Sequence, residues 1–236
     1  LHQRQGFVKS LELGDEFPFG VGKDQRYVAD GSLASFVKNL TGQQKQDVLN
    51  STLLAQLAAS KKFDRQKETT KWYDFYKYVL ENVGWVIQSF QFQDYQTSNS
   101  SFKLSEVTLE ILGALVEPEA EIMKVVKATI DSLAKSKRGI ALFDSGSTSG
   151  RDGNFQIMPC TLDQSQQITL ALMAFKFNAH NYEDDFFFFT WGSGHIELHY
   201  ATQTCTLNED VYSQVRQDII KKLGKRAHTF VENLDF

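Results

Sequence analysis

The chain has 236 residues, 42% hydrophobic and 23% charged, a balance that excludes a disordered chain and a typical membrane-embedded one. No apolar run approaches the roughly 20 residues that a membrane-crossing helix needs. The formal net charge of −4 argues against a nucleic-acid partner, because such binders carry a basic face. Nineteen Phe against three Pro concentrate bulky apolar volume in a few segments, which suits a thick core or one that encloses an apolar ligand.

In chain order, residues 1–30 read as irregular, punctuated by Gly6, Gly14, Pro18, Gly20 and Gly22. Helix signals begin near Ser32. A second helix follows Thr41, an N-cap with Gln44 in the capping-box position, and Leu49, Leu53 and Leu57 form its buried stripe. The charged stretch 61–70 reads as a loop. Trp72, Phe75, Tyr76, Val79 and Leu80 then define a broad apolar helix face, closed by Gly84. A strand is expected from Trp85 to about Phe92. Two further helices follow, one holding Val107, Ile111 and Leu115. The other has Pro118 in its first turn, Ile122, Val126, Ile130 and Leu133 as its stripe, and Gly139 as its stop.

From there the period changes to extended. Ile140–Phe143, Phe155–Cys160, Ile168–Phe177, Phe186–Thr190 and His195–Thr204 read as strands, the Phe run as one buried on both faces. Asn208 caps a last long helix with Tyr212, Val215, Ile219 and Leu223 on its inner stripe, and a short helix from Ala227 ends the chain. Hairpin-length connections favour antiparallel pairing. The expected fold is α+β: one domain over 1–236, with a largely antiparallel sheet of five to six strands. Helices from the N-terminal half and the C-terminus pack on that sheet.

Several constellations bear on chemistry. On a strand, His195, Glu197 and His199 share a face and make up a two-His, one-carboxylate metal set, or else the solvent side of an outer strand. Ser193 in Gly192-Ser193-Gly194, with His195 or His180 as base and Asp184 or Asp185 as orienter, lacks the G-x-S-x-G elbow and reads as a turn. Residues 144–150 have the composition of a phosphate loop without its G-K-[ST] ending, and read as a mobile loop.

Two cysteines, Cys160 and Cys205, are too few for a disulfide framework or a structural zinc site. One disulfide or two buried free thiols both remain open. Cys160 ends an apolar strand. Cys205 lies near a helix start, which would lower its pKa and make it the more reactive. Triplets at Asn39, Asn50 and Asn99 match the glycosylation pattern, as chance allows in a chain this polar.

The segment 72–85, WYDFYKYVLENVGW, together with 153–156, GNFQ, and 215–223, VRQDIIKKL, resembles the Erwinia virulence factor family and related bacterial proteins over about residues 70–236. That resemblance implies a globular protein that helps bacteria persist in the insect gut and has no recognised catalytic apparatus. It also implies a fatty acyl chain, palmitate, held by thioester on a cysteine inside the fold. Cys160 has the apolar setting such a chain requires and is the first choice, with Cys205 second. The implied partners are that acyl chain and a transient membrane or host-protein contact. The opening Leu1 reads as a trimmed start, which leaves bacterial cytoplasm and secretion both open. The alternatives are a metal-binding protein or metalloenzyme on His195, Glu197 and His199, and a membrane-active toxin. The expected strands are too short and too apolar to carry the amphipathic hairpin of such a toxin clearly.

Overall fold

A computed structural model describes residues 2–11, 26–226 and 231–233. Its centre is a sheet of strands β1 (Arg26–Ala29), β2 (Ser32–Phe36), β7 (Asp152–Leu162), β8 (Ile168–Ala179) and β10 (Ile196–Leu207). These lie in the order β1-β2-β7-β8-β10. Among the described residues only β2 and β7 run parallel, and every other pairing is antiparallel. Short strands extend this frame: β3 (Trp85–Val86) and β4 (Gln93–Asp94) on the outer side of β10, β6 (Thr148–Ser149) on β7, and β11 (Val231–Asn233) on β1. A separate two-stranded pair joins β5 (Ser101–Phe102) to β9 (Trp191–Gly192). The fold is a single α+β domain, as expected.

Register assigns side chains to the two faces of the sheet, because directly paired residues point the same way. One face carries Ser32, Gln156, Met158, Cys160, Leu170, Ala174 and Cys205. It is covered by α2 (Gly42–Lys62) and α3 (Thr69–Asn82), fastened by Gln56 Nε2 to Ala29 O (3.1 Å) and Tyr73 Oη to Asn154 Oδ1 (2.7 Å). The opposite face carries Leu33, Ser35, Phe155, Ile157, Phe175 and Phe177. Against it pack α5 (Glu121–Ala134) and α6 (Lys137–Ser147), with α4 (Leu104–Leu115) beside α5. Two of the joints are the Ser35–Thr129 hydroxyl bond (2.8 Å) and Phe143 edge-on to Phe155. The sheet is therefore the middle of three layers. Beyond α2 lie α8 (Arg216–Leu223), with α7 (Glu209–Ser213) just before it, and then α1 (His2–Ser10).

Local signals explain these elements where they are strong. Thr41 Oγ1 accepts from Gln44 N (3.1 Å) and Gln44 Oε1 accepts from Thr41 N (2.9 Å), the reciprocal capping box expected for α2. Gly84 adopts φ 117°, where a Cβ would lie 3.1 Å from Asn208 O and Tyr212 N. Only glycine turns the chain from α3 into β3 at that approach.

Elsewhere the structure corrects the sequence reading. Ile140–Phe143 is not a strand but the middle of α6, which Ser136 caps by accepting from Gly139 N (2.9 Å). Phe143 and Ser147 then fall on its buried side, and Gly139 lies inside α6 instead of ending α5. Phe186–Thr190 is not a strand: Phe188 N and Phe189 N both return to Asp185 O, closing a tight turn that drives Phe186 and Phe187 into the core. Ser32 begins β2, not a helix. Its strand, SLASF, is buried on both faces, so it shows no apolar–polar alternation. The strand expected from Trp85 to Phe92 is paired only at Trp85–Val86.

Five smaller differences follow. Residues 144–150 continue α6 and form β6 instead of a mobile loop. The long C-terminal helix is broken between Ser213 and Arg216. The N-terminal segment holds α1 and β1, and its residues 12–25 lie outside the described ones. At the C-terminus the residues described after Arg226 form β11, not a helix. β7, β8 and β10 also run longer than expected, at 11, 12 and 12 residues. Among the described residues no helix is long and apolar enough to cross a membrane.

Candidate functional site

The two thiols lie on one row of the helix-covered face. Cys160 and Cys205 both pair with Leu170, from opposite sides of β8. Two strand spacings put their Cα atoms about 10 Å apart, beyond the roughly 7 Å limit for a disulfide, and both are free. Cys160 is wholly buried and Cys205 nearly so. Burial pushes the Cys160 thiol well up, with Cys205 adding to it, and pushes Cys205 up to about 12. Cys205 therefore does not have the lowered pKa expected at a helix start, because it sits inside β10 before Asn208 begins to cap α7.

The helix α3 that covers this face is rich in aromatic residues. Trp72 and Tyr76 of α3 stack at 5.1 Å, and Phe90 leans on Tyr76. The Tyr76 hydroxyl is buried without a hydrogen-bond partner. Burial raises its pKa, and so do Tyr73, Cys205 and Cys160, which places both thiols within electrostatic reach of it.

Further along the same face, Arg65 enters from the α2–α3 connection and is almost fully buried. It donates to Gln156 Oε1 (2.7 Å), Gln56 Oε1 (2.9 Å), Asn154 O (2.9 Å), Asp30 Oδ2 (3.2 Å) and Gly31 O (3.3 Å), and its guanidinium lies 4.3 Å from the Trp72 ring. Tyr73, Asn154 and Gln156 complete the network. This network was missed in the sequence. Arg65 stands in a charged run that reads as solvated, although Asn154 and Gln156, alternating within an apolar strand, are a readable sign of buried polar partners.

The end of this face is open. Two rows, Asp152–Asn178–Glu197 and Asn154–Lys176–His199, cross three strands and meet the first turn of α3 around a cleft of about 560 Å³. Glu197 and His199 share this cleft, as alternation predicts. His195 precedes β10 in a turn, its ring edge-on to His180 at 5.4 Å. His199 Nε2 is 2.6 Å from Asp94 Oδ1. Among the described residues no three His, Cys, Asp or Glu side chains are placed to hold a metal. The Ser193 hydroxyl donates to Ser100 O (3.2 Å) and helps to fasten the turn.

Fold and site together define a three-layer α/β/α protein with a buried pair of unbridged thiols under an aromatic helix. No known family's sequence model matches the chain, and no curated protein matches it. Solved structures similar to it include the Evf virulence factor, at 15% identity and TM-score 0.45, covering 95% of this chain and 90% of that one. Another is a delta-endotoxin at 13% identity and TM-score 0.46, covering 85% and 93%.

Proposed function

We propose that this is a non-enzymatic, virulence-related bacterial protein that promotes persistence in a host and carries a palmitoyl-sized chain by thioester on Cys160. The observation that carries the reading is the setting of Cys160: a free, fully buried thiol on an apolar row of the face that α3 covers, within electrostatic reach of Tyr76. The virulence role comes with the sequence resemblance at 72–85, 153–156 and 215–223. Burying an acyl chain there contributes roughly 0.8 kcal/mol per CH2.

Attachment is a thioester exchange. The Cys160 thiolate attacks the carbonyl of an acyl-thioester donor and the donor's thiolate leaves, so no oxidant or reductant is required. A thiol whose pKa burial has raised is a poor nucleophile, so the step belongs to a form in which α3 stands away from the sheet. Neither sulfur lines the cleft at the end of this face, and the acyl chain takes its room from the packing between α3 and the sheet. Cells fed an alkyne-tagged palmitate are expected to label the wild type and Cys205→Ser but not Cys160→Ser. Loss in Cys205→Ser alone moves the site to Cys205, and label retained in both variants ends the reading.

A membrane-active toxin is a second reading, favoured by the lengths of β7, β8 and β10, 11, 12 and 12 residues. Roughly 9–11 residues suffice for a tilted bilayer-crossing strand. The face running from Phe155 and Ile157 through Phe175 and Phe177 to Leu198 is continuously apolar. This reading predicts dye release from liposomes at micromolar protein; intact liposomes at that concentration would sink it.

A further inference from the structure

A second cleft, of about 390 Å³, lies between the outer half of α4 and the edge where β4 pairs with β10. Its volume is in the range of small-molecule sites. Its chemistry is one-sided: it holds the carboxylates of Asp94 and Glu110 but no Lys, Arg or His among its lining residues. Tyr95 and Tyr200 form an aromatic wall, with ring centroids 6.5 Å apart at 69°, and Ile111 and Leu115 line the apolar side.

These groups are held in place. Tyr95 is edge-on to Phe102 at 5.4 Å, and its hydroxyl donates to Glu110 Oε2 (2.8 Å). That bond orients the carboxylate and leaves its second oxygen to the cleft. Asp94 Oδ1 is already engaged by His199 from the neighbouring cleft, and Glu110 is the second carboxylate of the lining. Leu115 is half exposed although it ends a helix whose other apolar residues are largely covered, so the apolar wall of the cleft is open to a ligand.

We propose that this cleft binds a quaternary ammonium ion with a short aliphatic body. A charge spread over methyl groups needs no hydrogen-bond acceptor and is attracted to ring faces. The carboxylates add a field of the right sign, and Ile111 and Leu115 cover the alkyl part. A primary ammonium gains less here, since its compact, strongly hydrated charge loses more water on reaching the ring faces than a charge spread over methyl groups. A zwitterion that adds a phosphate to the same head is disfavoured, because no basic side chain in the lining would receive that phosphate. The ligand class is therefore a free organic cation and not a phosphate-bearing headgroup.

Titration calorimetry or ligand-observed NMR on the full chain tests this with n-butyltrimethylammonium chloride, its uncharged tert-butyl analogue and phosphocholine. The cation is expected to bind saturably and both other probes at least about tenfold more weakly. Glu110→Gln, which keeps the shape and the acceptor for Tyr95, is expected to weaken the cation about fivefold, as is Tyr200→Leu. Glu197→Gln, in the other cleft, leaves it unchanged. The proposal is overturned by equal binding of the uncharged analogue or of phosphocholine, by an unaffected Glu110→Gln, by equal weakening in Glu197→Gln, or by no saturable binding.

Discussion

Arg65→Met is expected to destabilise the fold by about 3–5 kcal/mol, the usual cost of removing one partner from a buried ion pair. Met restores the apolar stem but removes one donor from each of five acceptors, on Asp30, Gly31, Gln56, Asn154 and Gln156; of these, Gly31 O and Gln156 Oε1 keep a second donor, Gln156 N and Ser32 Oγ respectively. Asp30 is buried, and its carboxyl is raised above 3.8 by desolvation, against the pull of Arg65. A group raised in this way contributes stability that is fully present below 3.8 and lost as pH rises through its native pKa. Removing Arg65 takes away the pull and raises that pKa further. The loss in Arg65→Met is therefore expected to be larger at about pH 7 than at about pH 4. Urea midpoints at the two values measure this. An equal loss at both, or one below about 1 kcal/mol, would remove the network from its place as the joint between the α2–α3 layer and the sheet.

Phe155→Ala is expected to cost a similar amount, about 3–5 kcal/mol. Phe155 is fully buried and stacks on Phe175 at 4.7 Å and 8°, while Phe143, Phe186 and Phe187 surround it within 6 Å. These rings come from α6, two strands and the turn after Asp185, so one truncation opens a void that no single element can close. The midpoint should fall with the urea slope unchanged, and Phe155→Leu should lose less. A loss in Phe155→Ala under about 1 kcal/mol would mean that this layer collapses freely around the void.

Those two sites also show where the fold was legible in the sequence. The capping box at Thr41, the stripe of α3 and the stop at Gly84 were readable because each is set by neighbours within one or two turns. The Phe excess announced a thick aromatic core, but not its shape. Phe186–Phe189 has the composition of a strand, and only the turn at Asp185, with φ 58°, makes it a plug. Ile140–Phe143 is too short for four apolar residues to tell helix from strand; the Ser136 cap decides it. β2 was hidden because a strand buried on both faces has no alternation to read.

The candidate site divides in the same way. The shared side of Glu197 and His199 followed from alternation along one strand. That Cys160 and Cys205 lie in one row, on either side of Leu170, depends on the register of three strands. So does Arg65 reaching Gln156, which is 91 positions away in the chain. No local pattern encodes such pairings.

The most direct test of the account is the intact mass of the purified protein before and after hydroxylamine, which cleaves thioesters. The account predicts a palmitoyl-sized excess over the bare chain that disappears on treatment. A mass equal to the bare chain before treatment, or an excess that survives it, would contradict a thioester-bound acyl chain at Cys160.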